Sequence, residues 1–201
     1  MLRVSVSSLD LFATFQGEQD LPLAVFLAQL RGQTPRTGPM DRGLAFAKAM
    51  EQGQSGDIIT ADGHAFAITC DVEIPSMPHR EVSAEKDYGG IIVSARCDRV
   101  HGLVIADDKT TESWSNGGAE KYLEKWQWRY YLDLWRARQF DWHIWECREI
   151  NVPENTPNVK KAWEVYHHHL ITQYAYPGLE ADCAEHARQF GQFAERIGYA
   201  G

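Results

Sequence analysis

Apolar positions recur along this chain with two periods, and the switches between them divide it into elements. Ser7-Ser8 is expected to cap a short helix over Leu9 to Phe15. A second helix is expected over Pro22 to Leu30, with Pro22 at its start, followed by a Pro/Gly/Thr loop from Gly32 to Pro39. Asp41 then caps a helix ending near Gly53, with Leu44, Ala45 and Ala49 on one face. His64 to Pro75 alternates apolar and polar residues, as a half-buried strand does. A flexible stretch from Ser76 to Gly90 leads to two β-branched, apolar runs, Ile91 to Val100 and Leu103 to Lys109. After a polar loop at Ser113 to Gly118, the spacing predicts a long amphipathic helix over Ala119 to Arg138 and a strand over Asp141 to Val152. Helices over Val159 to Tyr174 and Leu179 to Ile197 complete the chain. The central order is helix, three strands, helix, strand: an α/β protein, with 201 residues forming one domain.

The two central runs carry the chemistry. His101-Gly102 between them reads as a two-residue turn, with glycine supplying a positive φ, so the runs form a β-hairpin. Side chains alternate along a strand, which puts Ile105, Asp107 and Lys109 on one face and brings Asp98 to that face across the ladder. Asp98 and Asp107 are then diagonal neighbours, roughly 7 Å apart. Two carboxylates at that separation can close on one hard cation such as Mg²⁺ or Mn²⁺, with the Lys109 ammonium beside it. The bland alternative is a surface salt bridge. Against it stands the run Leu103-Val104-Ile105-Ala106, which marks a buried strand, where unpaired acids are rare.

On the next helix Gln127 and Tyr131 stand at i and i+4 and share a face. Tyr122, Trp126, Tyr130 and Leu134 form an adjacent apolar stripe that reads as core. A glutamine beside that stripe needs a partner, either a phosphate or an acid of the hairpin.

Together these residues resemble the core of the PD-(D/E)XK nuclease superfamily, in its RecB-like and phage exonuclease branch. Cys97-Asp98-Arg99-Val100 and Asp107-Asp108-Lys109-Thr110-Thr111 match its hairpin, and Gln127 to Tyr131 matches its Gln-x-x-x-Tyr. An upstream Gly-x-x-x-His-x-x-x-Glu is matched at Gly43 and Glu51, with Ala47 where the histidine would stand. The likeness spans roughly residues 41 to 150. It implies a restriction-endonuclease-like αβββαβ core, a central mixed sheet flanked by helices. It also implies a Mg²⁺-dependent DNA exonuclease acting in recombination, repair or phage DNA processing, with Mn²⁺ able to substitute. Asp98, Asp107, the Asp108 carbonyl and Glu51 would hold metal, with Glu73 a reserve acid. Lys109 would orient the attacking water, with Gln127 and Tyr131 in the cleft and Thr110 and Thr111 on a flanking phosphate. DNA would be the partner, and a homo-oligomer or a recombination partner protein is open. Two alternatives remain: a structure-specific or restriction-type endonuclease with the same core, and a non-catalytic DNA-binding protein with a degenerate one.

Composition adjusts this picture. Hydrophobic residues are 44% and charged residues 24%, ordinary for a globular domain, and no apolar run approaches a membrane span. Met1-Leu2-Arg3-Val4-Ser5 lacks a signal-peptide pattern, so a cytoplasmic location is expected. Cys70, Cys97, Cys147 and Cys183 are scattered without a Cys-x-x-Cys pair. They read as structural thiols, with neither a zinc ribbon nor an iron–sulfur cluster expected. A net charge of −8 runs against a nucleic-acid partner, although acids at a metal site count toward it. His167-His168-His169, placed on a helix, would point about 100° apart and so reads as solvated surface.

Overall fold

The computed structural model describes residues 1–17, 21–51, 58–72, 79–114, 118–154 and 156–200. Among these, a mixed eight-stranded sheet runs through the molecule with helices on both faces, as expected. In chain order the elements are β1 (Leu2–Ser5), α1 (Val6–Gly17), α2 (Leu23–Leu30), α3 (Gly38–Glu51), β2 (Ile58–Ala61), β3 (His64–Ile68), β4 (His79–Asp87), β5 (Ile91–His101), β6 (Val104–Thr111), α4 (Glu120–Leu123), α5 (Gln127–Leu134), β7 (Gln139–Ile150), β8 (Lys161–Tyr174) and α6 (Leu179–Arg196).

β7 is the spine of the sheet. It pairs parallel with β6 and antiparallel with β8, and Phe140 to Trp145 are all buried. Burial of successive residues, Asp141 and His143 included, marks a strand covered on both faces. Trp142 and Ile144 face a cluster that includes Leu9, Phe12, Phe26, Tyr130 and Phe190, under α1, α2, α5 and α6. Trp145 and Cys147 face Ala45, Phe46, Ala49 and Phe66, under α3.

The expected αβββαβ core is present, but its first strand is not the one predicted. His64 begins β3, which ends at Ile68 and lies at the far side of the sheet, paired with β2 and β8. The first core strand is instead β4, within the stretch expected to be flexible. Its residues His79 to Asp87 are mostly polar and charged, as suits an edge, with only Val82 and Ala84 apolar. The expected strand's end at 73–75, with Glu73, lies outside the described residues.

Helix boundaries shift for local reasons. α1 starts at Val6, because Ser5 rather than Ser7 or Ser8 caps it: Ser5 Oγ accepts the Ser8 N–H at 3.1 Å. α3 starts at Gly38, before Asp41, with the Asp41 N–H on the Thr37 carbonyl at 3.0 Å. The long helix expected over Ala119 to Arg138 is two short ones. Asp10 of α1 takes the Trp126 N–H at 2.7 Å and the Lys125 ammonium at 2.8 Å, and this anchors the break.

The largest correction is β8. Val159 to Tyr174 was expected to be helical, yet it is a 14-residue strand inserted between β7 and β3. The register shifts at Glu146/Cys147, from His167 to Val165, leaving Tyr166 as an extra residue. A bulge flips the alternation on its two sides, so the period-2 signal does not persist through the segment. His167 and His169 therefore share one face and His168 the other.

His168 Nε2 lies 2.9 Å from His143 Nδ1, between β7 and β8. Burial, followed by the Arg99 guanidinium and the partner ring, pushes His143 down to about 3. Burial, followed by His169 and Arg99, pushes His168 down to about 4. The unfolded chain takes these protons near pH 6.5, so the neutral pair contributes fully above that pH and loses its contribution as pH falls toward 4. Acidification from pH 7.5 to 5 should cost about 2 kcal/mol through His143 alone. Thermal melts should show a smaller loss for His143→Gln between the same two pH values. An equal loss would assign the acid lability elsewhere.

Candidate active site

β5 pairs with β4 from Ile92 to Val100 along one edge. Two strands share its other edge: β1 takes Ile91 to Ser94, and β6 takes Arg99 to His101. The sheet therefore forks, leaving Ala95 to Asp98 without a strand partner on that edge among the described residues. The candidate site is built in this fork.

The hairpin turn lies one residue later than expected, at Gly102-Leu103, with Gly102 at φ 60°. Val100 thus faces Ile105 rather than Leu103. Moving a two-residue turn by one position changes the register by two, so parity survives. Asp98 still meets the Asp107 face, now nearly opposite Asp107. The Asp98 carboxylate also closes the fork, since its Oδ2 accepts the Asp108 N–H at 2.9 Å.

On β6, alternate residues face opposite helical layers. Asp107 and Lys109 lie beside Trp142 and Ile144 of β7. Asp107 is 2% exposed and ion-paired with Lys109, whose side chain is 36% exposed. Burial raises the Asp107 pKa well above the carboxylate range; Lys109 opposes this and Asp98 adds to it. Burial works against the Lys109 charge, but Asp107 and Asp98 outweigh it and hold the ammonium above its usual value. The Lys109 ammonium also lies 5.5 Å from the Trp142 ring centre.

Asp108 and Thr110 lie on the α3 side, beside His143 and Trp145. Asp108 Oδ1 accepts from Arg99 Nη2 and from Trp145 Nε1, each at 2.8 Å. Burial still raises its pKa, with Arg99 pulling the other way. The Thr110 hydroxyl meets Arg42 Nε at 3.4 Å, and Arg42 is itself ion-paired with Glu112. The Thr111 hydroxyl donates to the Ser113 carbonyl at 2.9 Å.

Gln127 and Tyr131 both reach the fork. Gln127 Nε2 donates to Asp107 Oδ1 at 3.0 Å, which gives the glutamine an acid partner. The Tyr131 hydroxyl donates to the Arg96 carbonyl at 2.8 Å, in the gap between β1 and β6. Tyr131 also lines a cleft of about 430 Å³ with Ser5, Ser94 and Arg96.

Glu51 is exposed at the end of α3, where Arg80 holds the neighbouring Met50 carbonyl. It lines a small pocket with Asp98, Asp108, Arg99 and Glu81. Glu81 was not anticipated from the sequence. It stands opposite Asp98, at the position skipped between the Arg80–Arg99 and Val82–Cys97 pairs, and has φ 52°. It is ion-paired with Arg96 at 2.6 Å. Burial raises its pKa, as do Asp98 and Glu51, against Arg96. Only reading 79–87 as a strand antiparallel to β5 would have placed it there. All four cysteines are free, and Cys97, Cys147 and Cys183 are buried.

No protein-family model matches the chain, and no curated protein sequence matches it. Solved structures similar to the chain include an alkaline exonuclease. This is LHK-Exo from Laribacter hongkongensis, at 13% identity and TM-score 0.46 over 97% of this chain and 89% of that one. Its complex with dAMP is similar at 13% identity and TM-score 0.48, over 96% and 88%. A protein designated SSO0001 is similar at 13% identity and TM-score 0.49, over 94% and 77%.

Tyr131→Phe tests the fork directly, since it removes one hydroxyl and leaves the Arg96 carbonyl without that donor. Losing such a hydrogen bond costs about 0.5–1.5 kcal/mol. Urea unfolding should show a lower midpoint with an unchanged slope. An unshifted midpoint would mean that water replaces the phenol at no cost.

Proposed function

We propose that this chain is a metal-dependent DNA exonuclease that hydrolyses phosphodiester bonds. The observation that supports it most is the group at the fork: Asp107 buried between Lys109 and Gln127, with Asp98 beside them.

The donors suit a hard divalent ion. Asp98 and Asp107 are carboxylates without thiolate neighbours, and the Asp107 pKa is raised by burial and by Asp98, repulsion that a cation would relieve. Among the described residues no three acid, histidine or cysteine side chains are arranged to close on one ion. Mg²⁺ fits that sparse set, since it is commonly held by one or two carboxylates together with water and substrate phosphate. Asp98, Asp107 and the Asp108 carbonyl would hold it, Glu51 would be the outlying acid, and Mn²⁺ would substitute. When bound, such an ion polarises the scissile phosphate and lowers the pKa of a coordinated water.

The chain's own side chains supply the rest. Gln127 fixes the Asp107 carboxylate by holding Oδ1. Lys109 remains charged against burial because two acids face it, and its ammonium stabilises charge that develops on the phosphate. Thr111 shares the Lys109 face and can contact a flanking phosphate, whereas Thr110 is turned toward Arg42. Tyr131 keeps the fork closed beside the cleft.

End-labelled linear DNA should be degraded with Mg²⁺ or Mn²⁺ and remain intact in chelator, while closed circular DNA should survive. Cleavage of closed circles would point to an endonuclease of the same core. Asp107→Ala should abolish both Mn²⁺ binding by calorimetry and turnover. Lys109→Ala should leave Mn²⁺ binding intact or strengthened and lower turnover by about 100-fold or more. Wild-type cleavage by Lys109→Ala would reduce the lysine to a salt-bridge partner and remove the main support for this reading.

A further inference from the structure

We infer that Arg99 and Asp108 form a positioning device, a side-chain staple that holds β6 in register where its main-chain pairing with β5 has ended. The inference rests on reading Asp98, Asp107 and Lys109 as a metal-dependent phosphodiesterase site.

The last main-chain pair between the two strands is Arg99 with Ala106. Asp107 and Lys109 lie beyond it, and side-chain bonds take over there. The Asp108 amide donates to Asp98, at 2.9 Å. The Asp108 carboxylate accepts from Arg99 of β5 and Trp145 of β7 at one oxygen, both at 2.8 Å. Three adjacent strands are tied through one side chain. Asp98 and Arg99 are consecutive, so two neighbouring residues of β5 hold the same residue of β6. Asp108 projects to the α3 face, which commits Asp107 and Lys109 to the other.

The chemistry argues against a role in stability alone. The Arg99 and Asp108 side chains are each 2% exposed. A buried ion pair gives little net stability compared with apolar residues of the same volume. Among the described residues, Arg99 also has Nε and Nη1 buried without hydrogen-bond partners. An arginine retained for stability would have those donors met, because each unmet one is unfavourable. What the pair provides that leucine and methionine cannot is directionality.

The decisive variant is the apolar pair Arg99→Met with Asp108→Leu, measured beside wild type and Arg99→Met alone. The single change strands a buried acid and should lower Tm sharply, whereas the double change should recover most of that loss. The double variant should nevertheless bind Mn²⁺ about 10- to 100-fold more weakly by calorimetry, the range for residues that support ligands. Without metal, its residue-108 amide should exchange with solvent at least about tenfold faster than in wild type. Wild-type Mn²⁺ affinity and amide protection in a folded double variant would overturn the proposal. If that variant does not fold, Trp145→Phe decides: it removes one bond to Asp108 and should weaken Mn²⁺ binding and the protection of the residue-108 amide, with Tm lowered by the cavity left in the core. Unchanged values there would equally overturn the staple. Wild-type protein that neither binds Mn²⁺ nor cleaves DNA would sink the site reading instead. Amide exchange would still decide whether Arg99 holds the fork.

Discussion

A β-strand has two edges, and three strands must pair with β5. β4 occupies one edge along almost its whole length, so β1 and β6 divide the other. The interval they leave, Ala95 to Asp98, contains backbone groups with no ladder to join. Buried polar groups must be met, and here side chains meet them. Tyr131 satisfies the Arg96 carbonyl, and on the facing strand β6 the Asp108 amide, beyond the last β5–β6 pair, goes to Asp98. The site follows from this constraint, because a carboxylate recruited to close a sheet is also brought up against the Asp107–Lys109 pair.

What the sequence revealed and what it hid follow the same physics. The hairpin was legible because parity depends only on whether the register shift is even, and displacing the turn to Gly102-Leu103 shifted it by two. Gln127 was legible as a polar residue beside an apolar stripe, and its partner proved to be one of the two kinds anticipated, an acid of the hairpin. β8 was not legible. The Tyr166 bulge breaks its alternation, and its strand character comes from neighbours on both edges, β7 and β3, which no local window contains. β4 was missed for the opposite reason. It is an edge rich in charged residues, so it lacks the apolar signature, and Glu81 was hidden with it. The break between α4 and α5 depends on Asp10, more than a hundred residues away.

The three residues Asp107, Asp108 and Lys109 show how strand geometry separates tasks that sequence adjacency would confuse. Asp108 sits between two site residues and is an acid, so it reads as a third member of the site. Its side chain points the other way, into the layer under α3, and is bound there by Arg99 and Trp145. Only its backbone belongs to the fork. A Lys109 directly beside Asp107 would fall on opposite faces, whereas two residues apart they meet. The spacing in the motif is thus a consequence of the pleat.

Net charge can be reconsidered from this arrangement. The chain carries −8, and Glu51, Glu81, Asp98, Asp107 and Asp108 crowd one region. Asp108 is neutralised within the fold by Arg99, and Asp107 in part by Lys109. Asp98 and Glu51 add negative charge where, on the proposed reading, a phosphodiester must approach. A phosphate brought there against unneutralised carboxylates meets repulsion that the low dielectric of a buried site strengthens. A divalent ion reverses the sign of that field before it performs any chemistry. On this reading the metal is first a condition for substrate binding, and ion and nucleic acid must bind cooperatively. The acidity that argues against a nucleic-acid partner when averaged over the sequence then becomes a property of a site whose positive charge is brought in with its cofactor.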